Sequence, residues 1–430
     1  MMNIYLFFYN VIVVPIMYIV FIVGSIFNKK IKQGWDGRKN YFNNARKIAN
    51  SIPSTAKIYL FHSSSVGEWE QAVPIIEKLK EQNSDIFVIV TFFSASGYNV
   101  VKNPIIDAKL YLPLDSKSNA RQFFSIFKPL VWIICKYDVW PNMLFEAKKQ
   151  NIPVLLTSAE LAADSKRYVF PMKSINKSIY NKIDYILTIS QDTRDRFLLI
   201  YPFENRLFVG GDSRFDRINQ KVELLKHEEQ FRVFKKEDVF TFIMGSSWPA
   251  DEKHVLPPLI RLMLRNPHLN AIIVPHEINE NHIKTVEELF FNASIETERY
   301  SNFSSNNGTH ARVAIIDTVG ILSKLYRITQ LAYIGGGFGS GVHNVMEPAA
   351  FAQPVLFGPK HINSFEACQL EYIMAAHTIR TETEFEIIAD YLINREKLRI
   401  EKGTDARKFL TDNLGATEKT IDILRKMELF

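Results

Sequence analysis

A carboxylate in the first turn of a helix that follows an apolar strand can take a proton from a substrate hydroxyl. The segment His62-Ser63-Ser64-Ser65-Val66-Gly67-Glu68 has that form. KIYLFH (57–62) reads as the strand, and a helix is expected to begin near Glu68. The same residues read as a capped start in which Ser65 or Ser64 and Glu68 satisfy orphan amides, and one sequence can serve both roles. In TFFSASGYN (91–99), Ser94, Ser96 and Gly97 read as a helix start offering backbone N–H groups to an anion, or as an ordinary cap. In KYDVWPNML (136–144), Trp140, Pro141 and Asn142 form a loop-to-helix entry, either a lid over the core or a polar site. Asp138 beside them needs a partner if it is buried. In GGDSRFDR (210–217), the glycines permit a tight turn, and Arg214 is positioned to pair with Asp216.

The second half carries a parallel set. MGSSWPADE (244–252) puts Ser246 and Ser247 ahead of Pro249 and an acidic first turn, where amides and hydroxyls can hold a phosphate. Pro275 and His276 close another strand, and the histidine reads as structural or as part of a cleft. The most specific stretch is YIGGGFGSGVHNVMEPAAFAQPVLFGP (333–359). Gly335, Gly336 and Gly337 open a turn whose amides can approach a ligand closely. His343, Asn344 and Glu347 are expected on one helix face, with Glu347 able to hold a sugar diol. The stretch is not the GxGxxG Rossmann fingerprint, because it lies late in its domain and lacks the acidic residue about 20 positions on, and no Walker sequence occurs.

These motifs need a frame that places polar turns just beyond strand ends. Short apolar runs recur at 57–62, 85–93, 108–114, 130–136, 152–158, 185–190 and 207–211, then at 239–247, 270–276, 311–317, 330–337 and 354–358. Helical sequence separates them, which predicts an α/β chain of two parallel-sheet Rossmann-like domains. The charged run Lys221–Asp238 reads as the bridge between them, and residues 301–310 as a Ser/Asn-rich surface loop. The expected division is an anchor at 1–28, a first domain at 29–225 and a second at 226–430, the last helix being a candidate to cross back.

The composition fits that frame. Of 430 residues, 47% are hydrophobic, which excludes disorder, and 52 Lys plus Arg against 46 acidic residues leave a charge of only +6. The two cysteines, Cys135 and Cys368, have no metal or disulfide spacing, so no metal site is expected. Residues 1–28 carry no charge, and Lys29, Lys30, Lys32, Arg38 and Lys39 follow. Charge after the apolar run is the reverse of a signal peptide. It predicts a membrane anchor with the remaining chain on the cytoplasmic side. A single span and a helix lying in the interface both stay open, because Asn10 and Pro15 interrupt the run.

In this order the motifs resemble those of the 3-deoxy-D-manno-octulosonic acid (Kdo) transferases of lipopolysaccharide assembly. The matching pieces are SVGEWEQA (65–72), the 94–97 turn, WPN (140–142), GDSRFD (211–216), GSSWPADE (245–252), DTVGILSKLY (317–326) and GGGFGSGVHNVMEPAAFAQPVLFGP (335–359). The resemblance implies a GT-B fold and inverting transfer of Kdo from CMP-Kdo to the lipid A precursor at the inner membrane, without metal or other cofactor. It implies Glu68 as general base. It implies donor contacts from Ser246, Ser247, Pro275, His276, Gly335, Gly336, Gly337, His343, Asn344 and Glu347, and acceptor contacts from Ser65, Ser94, Ser96, Gly97, Trp140 and Asn142. Two segments depart from the family. Its usual Pro-Arg-His-Pro is Pro275-His276-Glu277-Ile278 here, and its Asn-Ala-Arg-Leu-Ser is Ser158-Ala159-Glu160-Leu161-Ala162, with Lys166 and Arg167 nearby as compensating charges. The competing readings are a GT-B transferase using a UDP-sugar, a sugar-nucleotide epimerase and a non-catalytic lipid-binding protein.

Overall fold

The computed structural model describes residues 2–226, 233–235, 239–303 and 308–429. Parts of two expected features lie outside them: residues 227–232 and 236–238 of the bridge, and residues 304–307 of the surface loop. The chain divides into two compact units, one of residues 1–217 with 413–430, the other of residues 218–412.

The first unit is built on a seven-stranded sheet in the order β3-β2-β1-β4-β5-β6-β7. Its strands are β1 (Lys57–His62), β2 (Ile86–Phe92), β3 (Ala108–Tyr111), β4 (Val131–Cys135), β5 (Val154–Ala159), β6 (Tyr185–Thr188) and β7 (Leu207–Val209). Every pairing is parallel. Helices therefore cover both faces, and β4 and β5 are buried along their whole length, as continuous apolar runs require.

The second unit repeats the plan in the order β10-β11-β9-β8-β12-β13-β14. These are β8 (Phe240–Ser247), β9 (Leu269–Pro275), β10 (Thr297–Arg299), β11 (Val313–Ile315), β12 (Leu331–Ile334), β13 (Val355–Phe357) and β14 (Ala376–Thr378). The sequence pattern misses β10 and β14. Both are three-residue edge strands, reading TER and AHT, with no apolar run to announce them.

The expected boundary at 225/226 differs from the division after Arg217, where long-range contacts tie the chain's last helix to the first unit. Asp216 does not pair with Arg214. Its two oxygens accept the backbone N–H groups of Gly415 (2.7 Å) and Thr417 (2.6 Å), capping the Ala416–Lys426 helix. Thr157 and Thr420 share a hydrogen bond of 3.0 Å, and Ile421 and Leu424 enter the first unit's core. Arg214 instead clamps Asp212, at 2.6 Å, and Gln71 also donates to that carboxylate at 3.2 Å.

The Ile4–Phe27 helix belongs to the first unit and is long and apolar enough to cross a membrane. It contains a π-helical segment, Tyr9–Val13, just before Pro15, whose missing N–H interrupts the helical ladder.

Candidate active site

In the first unit, the turns after β1 and β2 meet: the Ser94 N–H donates to the Ser64 carbonyl at 3.2 Å. Ser65 is the N-cap of the Val66–Gln82 helix, in extended backbone, and its hydroxyl makes no cap bond. Glu68 fills the capping role in part, because its Oε2 accepts the Ser64 N–H. No described residue donates a hydrogen bond to Oε1. Glu68 is 5% exposed, and burial pushes its pKa up, against the pull of the Ser64 amide.

Beside it lies a group that the candidate residues did not include. His62 is buried, with Nε2 at 2.9 Å from Asp138 Oδ2 and Nδ1 at 3.0 Å from the Thr91 hydroxyl. The Trp140 indole N–H donates to the same Asp138 oxygen at 3.2 Å. Burial pushes the Asp138 carboxyl up, but the bonds from His62, Trp140 and the Ser64 hydroxyl hold it below the usual carboxylate range. The partner that Asp138 required is therefore His62, the first letter of the β1 motif. Trp140 packs on Phe93 with ring centroids 4.6 Å apart.

Ser65, Ser94, Ser96, Gly97 and Trp140 thus lie just beyond the carboxyl ends of β1, β2 and β4, in the turns on either side of Glu68's helix start and Asp138. Two expectations change. The Gly97 amide is not open to an anion, because Ser94 Oγ accepts it at 3.1 Å as the N-cap of a six-residue helix. Asn142 is 2% exposed, and its amide is spent on Asn10 (3.0 Å) and the Asp115 carbonyl (2.6 Å). It positions chain rather than facing a ligand. Glu160, acidic where the family is basic, pairs with Lys136 at 3.1 Å.

In the second unit, the turns after β8, β9 and β12 converge. Ser246 takes a left-handed φ of 53°, which breaks the β8–β9 register, and the His276 N–H reaches the Ser247 carbonyl at 2.9 Å. The Ser247 hydroxyl donates to Glu252 at 2.6 Å, and Glu252 bonds His282 at 2.7 Å. The His276 ring stacks on both Trp248 and His343, with centroids 4.6 and 4.3 Å away. The Trp248 indole N–H donates to His343 Nε2 at 2.8 Å, which leaves neutral His343 carrying its proton on Nδ1. Burial pushes the His343 pKa down, with His276 adding to the effect.

The glycines of this unit do a different job from the one expected. The Gly336 and Phe338 amides donate to Asp251 at 2.8 and 3.1 Å, and the Tyr333 hydroxyl adds a third bond at 3.0 Å. A Cβ on Gly335 would collide with the Ser246 carbonyl, and one on Gly337 would sit 2.5 Å from the Gly358 nitrogen. The glycines let backbone pack on backbone, and several of their amides are used internally. The helix expected to carry His343, Asn344 and Glu347 runs only from Met346 to Ala350. Asn344 precedes it, with Oδ1 accepting the Met346 N–H at 3.0 Å, and Glu347 lies in its first turn.

Residues 33–217 match the family model described as 3-deoxy-D-manno-octulosonic-acid transferase (kdotransferase). The chain is 26% identical over 408 residues to the 3-deoxy-D-manno-octulosonic acid transferase of Haemophilus influenzae, covering 93% of each chain. It is 25% identical over 347 residues to the enzyme of that name from Aquifex aeolicus, covering 79% of this chain and 88% of the relative. Among solved structures, the UDP-GlcNAc 2-epimerase of Neisseria meningitidis superposes with a TM-score of 0.63 at 15% identity, over 86% of this chain and 100% of its own. Acinetobacter baumannii MurG does so with a TM-score of 0.56 at 15% identity, over 86% of this chain and 99% of its own. At that identity the solved structures speak for the fold, which is of the GT-B type. Over most of its length the chain, with its ordered motifs seated on that fold, is similar to the 3-deoxy-D-manno-octulosonic acid transferases.

Proposed function

We propose that this enzyme transfers Kdo from CMP-Kdo to the lipid A precursor, lipid IVA, with inversion, in lipopolysaccharide core biosynthesis. The observation that carries the reading is the Glu68 carboxylate. It opens a helix, is held by one backbone amide and is buried enough to have a raised pKa. Glu68 takes the proton from the attacking acceptor hydroxyl while the anomeric carbon's bond to the CMP oxygen breaks and the new glycosidic bond forms. Holding the base by its own helix start supplies orientation without a mobile side chain. Ser65, Ser94, Ser96 and Trp140 line the acceptor side.

CMP leaves with one phosphate, so a single developing charge must be met. Ser246, Ser247, Pro275 and His276, with Gly335 to Gly337, form the donor region, where the Ser246 hydroxyl and the His276 imidazole can supply hydrogen bonds and the Ser247 hydroxyl, spent on Glu252, holds the turn. Asn344 and Glu347 take the nucleoside, with Glu347 on the ribose diol. His343 contributes through the stack on His276. The acceptor is a membrane lipid. The Ile4–Phe27 helix and the exposed Lys29, Lys30 and Lys32 hold the enzyme at the cytoplasmic face of the inner membrane.

The test is transfer itself. Membranes containing the wild-type chain and CMP-Kdo should release CMP in step with Kdo on the lipid, and Glu68→Gln should abolish both while CMP binding survives. Release of a UDP product from a UDP-sugar, with none from CMP-Kdo, would overturn the reading.

A further inference from the structure

The Ile4–Phe27 helix is seated lengthwise on its own unit. The Tyr9 hydroxyl donates to Asp115 at 2.8 Å, and Asn10 and Asn142 exchange two hydrogen bonds of 3.0 Å. Asn119 donates to the Tyr18 hydroxyl at 2.9 Å, and Phe21 meets Phe93 edge to face at 5.7 Å. Asn10, Val14, Tyr18 and Phe21 follow the three- and four-residue spacing of one helix face. Asp115, the partner of Tyr9, is fully buried and also accepts the Asn142 and Met143 amides.

A second element closes the far end. Asn28 caps the Lys29–Asp36 helix, which folds back along the first. Ile31 fits against Gly24, Gly34 lies beside Phe21, and Trp35 meets Tyr18. Arg38, expected among the membrane-facing cations, is turned inward and donates to the Leu112, Gly34 and Phe93 carbonyls. Residues 18–27 thus run beside a helix carrying Lys29, Lys30 and Lys32, which cannot enter hydrocarbon. The remaining residues 4–17 rise about 21 Å, short of the ~30 Å hydrocarbon core.

The opposite face is an unbroken apolar row. Phe8, Ile12, Ile16, Ile19, Val23 and Ile26 repeat at three- and four-residue steps, each about half exposed or more. The lysines at its carboxyl end match an anionic headgroup layer.

We infer that this helix does not span the bilayer but lies in the plane of its surface, with the row above in the lipid and the Tyr9, Asn10 and Tyr18 face latched to the body. The occupant is an anionic phospholipid leaflet. The inference rests on the membrane reading and sharpens it, because a latched helix sets the height of the unit carrying Glu68.

The experiment uses the full chain, with Cys368→Ser and one added cysteine, in inverted inner-membrane vesicles that face their cytoplasmic side outward. Cys135 is buried. A membrane-impermeant maleimide should label Asn3→Cys to the same extent as the body control Glu81→Cys, without detergent. Labelling of Asn3→Cys only after detergent, with Glu81→Cys already labelled, would mean a span and overturn the inference while leaving the membrane reading intact. Recovery of the chain in the soluble fraction, as monomer or dimer, would overturn both.

Discussion

The two units open on the same sentence. After β1 comes Ser63-Ser64-Ser65 and a helix with Glu68 in its first turn; β8 ends on Ser246-Ser247, and a helix with Asp251 and Glu252 in its first turn follows. Yet the carboxylates have opposite fates. Asp251 is fully buried and accepts three hydrogen bonds, so it is a fixture of the glycine turn. Glu68 accepts one and keeps a raised pKa, so it retains proton affinity and a lone pair to use. A first-turn acid is a cap or a base according to how many donors the tertiary structure brings to it.

The comparison can be broken hardest at Glu68. Glu68→Gln keeps the shape and removes the base, and transfer should fall by about two to four orders of magnitude. Unchanged turnover would place Glu68 with Asp251 as a structural acid. Asp251→Ala is expected to act on stability. It strands three buried donors, at about 1–3 kcal/mol for each that finds no new partner, so thermal unfolding should move well downward and donor binding be lost with it. A folded, fully stable Asp251→Ala would show that the glycine turn orders itself.

The pH profile sharpens the contrast further. Burial raises the Glu68 pKa and Lys136 opposes that rise. The base works when ionised, so activity should fall with falling pH earlier than an ordinary glutamate would dictate. Lys136→Met should move that acid limb to still higher pH. An unmoved limb would separate Lys136 from the site. The smallest effect is expected from Trp248→Phe, which keeps an aromatic face and deletes the N–H on His343. A loss of about 1 kcal/mol, several-fold in donor affinity, is the expected cost. No change would take the stack out of the donor site.

Much of this was legible in the chain. Apolar runs of strand length alternating with helices require parallel sheets covered on both faces, so the two-unit plan, the turn positions and Glu68 at a helix start follow from residue order alone. Asp138 could be marked as needing a partner because a buried carboxylate must have one.

What residue order could not carry was pairing across distance. Asp216 reaches the chain's last helix some 200 residues on. His62 supplies Asp138 from a neighbouring strand, and Asn142 turns to Asn10 rather than to a ligand. An apolar 24-residue helix reads as a span by composition. Only the folded unit, by placing Asp115, Asn119 and Asn142 against its polar stripe, decides which face meets lipid. Periodicity is local and survives in sequence, whereas the satisfaction of buried hydrogen-bonding groups is settled by whichever distant segments the fold brings together.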